Sequence, residues 1–153
     1  QKYIYYFNKS PIGDLTIVSQ SYVGIWKEKI KDAEEKETPI IKECSRQLSE
    51  YCEGKRKKFD IKLKPIGAPF HEKVWKALQD IPYGETRSYK DIAEAVKNPK
   101  ACRAVGTANK NNPIPIIIPC HRVISHNGNI GGFSSGLDMK KVLIKIEKIN
   151  LKE

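Results

Sequence analysis

An α+β fold in two parts is predicted by three features of the sequence. Residues 2–30 are runs of β-branched and aromatic residues punctuated by Pro and Gly, residues 38–54 form a capped amphipathic stretch, and helical periodicity takes over after Gly67. The first two predict a small antiparallel sheet with one helix, and the third a mainly helical second part. We place the boundary at residue 68, giving an N-terminal domain over 1–68 and a C-terminal domain over 69–153. The second is expected to carry a helix-turn-helix and a short β-hairpin.

In the first part, KYIYYFN, LTIVS and YVGIWKEK read as strands, the first two separated by a turn at SPIGD. Their residues suit a pleated, half-buried surface. TPIIKECSRQLSEYCEG (38–54) predicts a helix with Thr38 as N-cap, Pro39 at the first position and Gly54 at the stop. KRKKFDIKLKPIG follows as a basic connector enclosing a short strand, FDIKL. Its charge run at 55–58 reads as a solvated edge or linker, with phosphate binding as the alternative.

In the second part, APFHEKVWKALQDIP places Phe70, Val74, Trp75, Leu78 and Ile81 on one helical stripe. RSYKDIAEAV repeats Tyr89, Ile92, Ala93 and Val96 at helical spacing, Asn98-Pro99 interrupts it, and KACRAVGTANKNN begins another helix. Two short helices joined by a tight break suit either a helix-turn-helix or two members of a bundle. NPIPIIIPCHRVIS holds Pro113, Pro115 and Pro119, which rules out a helix. It leads into a predicted hairpin, RVISHNGNIGG, turning at Asn127-Gly128. After the FSSG loop, LDMKKVLIKIEKINL is an amphipathic helix with Met139, Val142, Leu143, Ile146 and Ile149 on one face.

Composition bounds the function. The chain is 39% hydrophobic and 30% charged, as a globular protein is. Its net charge of +10 is spread over both parts and points to a polyanionic partner, nucleic acid before membrane. No apolar run approaches the roughly 20 residues of a membrane span. The opening QKYIYYFNKS lacks the apolar core of a signal peptide, so a cytoplasmic location is expected. Cys44, Cys52, Cys102 and Cys120 show no C-x-x-C pairing, so no metal is expected, and cytosolic thiols stay reduced. Cys44 and Cys52 lie about 12 Å apart along one helix, too far for a disulfide. Abundant Lys, Glu and Ile point to a thermophile, where the redox rule weakens.

IPCHRVIS (118–125) holds the candidate chemistry. A cysteine here is either a small buried hydrophobe or a nucleophile activated by the positive charge beside it. In extended backbone Cys120 and His121 point to opposite faces, so His121 reaches the thiol only through a water or a bend at Pro119. A base needs an orienting carboxylate. Glu147, about 40° from Leu143 around the last helix, sits at the edge of the apolar stripe where it would be half-buried. An ordinary surface glutamate is the alternative.

I-P-C-H-R-V resembles the active-site signature of the O6-alkylguanine-DNA alkyltransferases, the methylated-DNA–protein-cysteine methyltransferases. PYGETRSYKDIA, RAVGTAN, NNPIPIIIPCHRV and NGNIGGFSSGLDMKK follow in that family's order and spacing, covering roughly residues 69–149. The N-terminal part matches in outline. The resemblance implies a DNA-repair protein that flips O6-alkylguanine out of double-stranded DNA and moves the alkyl group irreversibly to its own cysteine, without a cofactor. It implies Cys120 as nucleophile and acceptor, His121 as water-bridged base and Glu147 as its orienting group. Tyr89 would bind the guanine and stabilise the leaving oxyanion, Asn112 would tie the site together, the Val123 carbonyl would accept from the exocyclic amine, and Ser134 would contact O6. Arg103 would fill the space vacated by the base. Ala104 and Gly106 keep the helix slim for the minor groove, and Arg122 is grouped with them at the DNA surface.

Phe133 stands where that family commonly has tyrosine, and the N-terminal part lacks the Cys/His set some relatives use for zinc. A monomer is expected. The rival readings are a helix-turn-helix regulator, a non-enzymatic binder of alkyl lesions, or a cysteine hydrolase. A lesion binder of that kind lacks the reactive cysteine, and a hydrolase needs direct thiol–imidazole contact.

Overall fold

The computed structural model describes residues 3–7, 15–19, 23–26, 34–35, 38–130 and 137–149. Two compact units divide the chain, Gln1–Pro65 and Ile66–Glu153, shortly before the expected boundary at 68.

In the first unit, the aromatic and β-branched runs form Tyr3–Phe7 (β1), Leu15–Ser19 (β2) and Val23–Trp26 (β3). They pair antiparallel, with Phe7 opposite Leu15 and Thr16 opposite Trp26. A fourth strand, Glu34–Glu35 (β4), joins β1 in parallel and completes the order β3-β2-β1-β4. Two acidic residues carry no strand periodicity, which is why the sequence does not announce them.

Helix α1, Pro39–Cys52, starts where its caps predict: the Thr38 hydroxyl accepts the Ile41 N–H and Pro39 occupies the first turn. Gly54 follows the helix at φ +75°, a conformation that favours glycine. Ile41, Cys44, Leu48 and Tyr51 are buried along one face, and α1 packs on β1, β2 and β3. Cys44 and Cys52 are not joined in a disulfide, as their spacing requires.

The strand expected at FDIKL does not form. Residues 59–65 do alternate half-buried and exposed, but they are in no sheet. The buried Gln47 amide takes the place of a neighbouring strand: its Oε1 accepts the Asp60 N–H at 2.8 Å and its Nε2 donates to the Asp60 carbonyl at 3.2 Å. In the basic run, Arg56 is held by Glu50 at 2.8 Å and by the Lys58 carbonyl.

The second unit opens with α2, Pro69–Gln79, whose stripe buries Val74, Trp75 and Leu78 and continues to Ile81; Phe70 is half-buried. Trp75 dictates what precedes it, since a Cβ on Gly67 would lie 2.5 Å from its ring. Next come β5 (Arg87–Ser88), α3 (Tyr89–Ala95) and α4 (Cys102–Lys110). A reciprocal capping box between Ser88 and Asp91 starts α3. Beyond α3, Lys97 turns at φ +60°, just before the predicted break at Asn98-Pro99. Helices α3 and α4 pack on each other and on α2, forming the helix-turn-helix. The indole N–H of Trp75 donates to the Ala108 carbonyl at 2.8 Å, tying α2 to α4.

Residues 112–118 form a buried loop rather than a strand. Asn112 closes it by donating from Nδ2 to the Ile118 carbonyl and accepting the Ile114 N–H, both at 2.9 Å. Ile114, Ile116, Ile117 and Ile118 are buried, with Ile116 at φ +77°, a strained conformation for a β-branched residue. A 3₁₀ turn, Cys120–Arg122, follows, then β6 (Val123–Ile124). The turn expected at Asn127-Gly128 is present, closed by bonds from the Gly128 N–H to Ser125 and the Ser125 N–H to Asn129. The return strand of the hairpin is not found among the described residues, and β6 pairs in parallel with β5 instead. Helix α5, Leu137–Ile146, ends the described fold, burying Met139, Leu143 and Ile144. No helix among the described residues is long and apolar enough to cross a membrane.

Candidate active site

The loop closed by Asn112 delivers Cys120 to the interior. Pro119 precedes a 3₁₀ turn in which Cys120 donates to the Ile118 carbonyl at 2.8 Å and Arg122 to that of Pro119 at 3.0 Å. The segment is therefore bent, not extended as its proline content suggested, and Cys120, His121 and Arg122 are all buried. Burial pushes the Cys120 thiol up to about 11, and the Asn112 side chain and the Lys140 charge offset this only in part. The resting group is a thiol and needs a base.

His121 and Glu147 form a buried pair, with Nε2 2.5 Å from Oε2. Burial holds the imidazole below its ordinary pKa despite the carboxylate. Glu147 is 4% exposed, deeper than the half-buried position expected at the edge of its helix. Burial disfavours its charge, but hydrogen bonds and charge from His121 and Arg122 outweigh that and keep the carboxyl well below the usual range. At neutral pH the pair is a carboxylate and a neutral imidazole.

Arg122 departs from its expected place. Its guanidinium is not on a DNA-facing surface but 7% exposed, donating from Nε to Glu147 Oε1 at 2.9 Å and from Nη2 to Oε2 at 3.3 Å. Nη1 donates to the Ile81 carbonyl at 2.6 Å, and the group lies over the Tyr83 ring, 5.7 Å from its centroid. The neighbouring turn adds the Gly84 N–H to Oε1 at 3.0 Å, with Gly84 at φ +80°. A bidentate guanidinium suits a buried carboxylate better than any other side chain. Sequence shows the charge of Arg122 but not its direction.

Lys140 was missed altogether. It is fully buried and donates to the Val123 carbonyl at 2.6 Å. Burial brings its pKa down to about 8, with Cys120 opposing the shift. On a helix that also carries Lys141 and Lys145, nothing in the sequence marks this one as internal. The Val123 carbonyl is thus already engaged by the Lys140 ammonium.

Tyr89, Arg103 and Gly106 come together in a separate groove of about 590 Å³, shared with Ser125 and His126. Arg103 and Ala104 are exposed on α4, and the position of a Cβ on Gly106 is 4.0 Å from the Tyr89 ring. Ser134 and Phe133 lie outside the described residues.

Fold and site together define a class: a helix-turn-helix protein with a buried cysteine beside an imidazole–carboxylate pair. Residues 69–149 match the family model described as 6-O-methylguanine DNA methyltransferase, DNA binding domain, and residues 2–65 match the ribonuclease-like domain of the same description. Over 95% of both chains, the sequence is 47% identical to the constitutive methylated-DNA–protein-cysteine methyltransferase of Bacillus subtilis. It is 48% identical to the methylated-DNA–protein-cysteine methyltransferase of Methanosarcina acetivorans, over 91% of this chain and 94% of that one. The crystal structure of Mycobacterium tuberculosis OGT in complex with DNA aligns with a TM-score of 0.87 at 39% identity, covering 95% of this chain and 92% of the other. The chain belongs to the O6-methylguanine DNA methyltransferase family.

Proposed function

We propose that this protein repairs double-stranded DNA by taking the alkyl group of O6-alkylguanine onto Cys120, once per molecule. The observation that carries the reading is a buried thiol in the same turn as a neutral imidazole that is itself held by an ionised carboxylate. His121, oriented by Glu147, takes the thiol proton through a bridging water. The thiolate attacks the alkyl carbon, a C–S bond forms as the C–O6 bond breaks, and the electron pair passes to guanine, which is then protonated. The product thioether is not readily broken, so the protein is consumed.

Tyr89 donates to the guanine as negative charge develops on it, the Val123 carbonyl accepts from the exocyclic amine, and Ser134 contacts O6. The lesion is unreachable inside a duplex, so the base is flipped out. Arg103 on α4 fills the gap it leaves, and Ala104 and Gly106 let that helix enter the minor groove. Residues 69–153 supply DNA binding and the acceptor, residues 1–68 a structural domain. The protein acts as a monomer in the cytoplasm, associated with the nucleoid in a prokaryotic cell.

Intact-mass measurement after mixing with an O6-methylguanine duplex tests this. One CH2 increment localised to Cys120 is expected, with repair stopping at one lesion per molecule. Repeated turnover, or transfer persisting in Cys120→Ser, refutes it.

A further inference from the structure

A carboxylate hydrogen-bonded to a buried imidazole ordinarily draws a proton onto the ring, because opposite charge favours the charged form. An imidazolium is useless as a base, so a buried His–Glu pair serves the proposed reaction only if the carboxylate is restrained. Arg122 is placed to do this. It contacts both Glu147 oxygens, at 2.9 and 3.3 Å, and is itself pinned by the Ile81 carbonyl and the Tyr83 ring. The Gly84 N–H shares Oε1, leaving Oε2 for His121.

We propose that Arg122 is a positioning residue whose guanidinium neutralises Glu147, so that His121 remains the neutral Nε2–H tautomer with its Nδ1 lone pair available to take a proton. The inference rests on reading His121 as the base. Each group around the imidazole fits. Burial is the largest influence holding its pKa down, and Arg122 and the Lys140 ammonium of α5 act in the same direction against Glu147. Cys120 is a neutral thiol, and Tyr83, which touches the cluster through Arg122, has its phenol pushed up by burial and so stays neutral. The ionisable residues of α2 (His71, Glu72, Lys73 and Lys76) are exposed or half-buried.

Without the guanidinium, Glu147 is opposed only by burial and Lys140, and the folded-state pKa of His121 must rise. Nitrogen NMR of the imidazoles, assigned with His71→Gln and His126→Gln, reads both tautomer and charge. In the unaltered protein His121 is expected to be neutral and Nε2-protonated at pH 7 to 8. In Arg122→Gln its titration midpoint should climb by about 1 to 3 in pH, and Arg122→Lys should recover part of the difference. The acid limb of the rate with free O6-benzylguanine should move upward by the same amount.

An imidazolium or an Nδ1–H tautomer in the unaltered protein at neutral pH overturns the proposal, even if Arg122→Gln fails to fold. So does an Arg122→Gln protein that loses activity while His121 stays put. A shifted His121 with an unmoved rate profile upholds the role of Arg122 and removes His121 from the base position instead.

Discussion

Lys140 shows how a single buried charge acts on stability. Its folded pKa of about 8 lies below its ordinary 10.5, so between those values the unfolded chain holds the extra proton. Stability therefore rises with pH across that window, and the full penalty applies below it. Relative to Lys140→Met, the protein should gain up to about 3 kcal/mol between pH 8 and 10.5, measured by urea unfolding at both ends. The raised thiol of Cys120 acts in the opposite sense above pH 9, and does so more strongly in Lys140→Met, which lacks the ammonium that partly offsets it. A flat difference would mean that Lys140 is solvated in solution. The same residues mark what was legible at this scale. Adjacency and helical angle make Cys120, His121 and Glu147 candidates and the family resemblance supplies their roles, whereas Arg122 and Lys140 are basic residues whose direction depends on partners distant in sequence.

Among the elements, helices were read most readily because their signals are local: Thr38, Pro39 and Gly54 bound α1, and the break at Asn98-Pro99 separates α3 from α4. Strand pairing is non-local: the antiparallel pairing of β1, β2 and β3 was legible, but the pairings elsewhere were not. FDIKL has the right alternation, but its partner is one glutamine side chain. Residues 123–124 pair with β5, and no hairpin partner is found among the described residues. The loop at 112–118 also relies on a side chain, Asn112, beside the backbone bond from the Ile118 N–H to the Ile114 carbonyl. Asn112→Ala leaves the buried Ile114 N–H without its partner, at about 1–3 kcal/mol, and removes one of the two donors to the Ile118 carbonyl, which keeps the Cys120 N–H. We expect a lower melting temperature and, where the protein is still folded, slower reaction with O6-benzylguanine. Unchanged kinetics would show that Cys120 is placed without the loop.

For the whole molecule, the reaction proposed alters a buried point of the second unit. Cys120 is 2% exposed, and adding a group to such a site typically costs about 1–3 kcal/mol. A bulky adduct also displaces any water serving His121. The methylated protein should melt below the free one and the benzylated protein lower still. An unchanged or raised melting temperature in both adducts would mean that the pocket already has room for the product. The overall charge of +10 was legible as a preference for a polyanion, yet it does not say which surface meets DNA, since some of the cations are turned inward.

The bond from the Trp75 indole to the Ala108 carbonyl makes that ring a built-in optical probe. Indole emission shifts with the polarity around the ring and with the hydrogen bond it donates. Trp75 sits on α2 while its acceptor belongs to α4, the helix assigned to the minor groove. The chain has only one other tryptophan, Trp26. With Trp26→Phe, the remaining fluorescence reports on the α2–α4 contact alone. Displacement of α4 by DNA or by an adduct on Cys120 then becomes a colour change, followed in real time without a label.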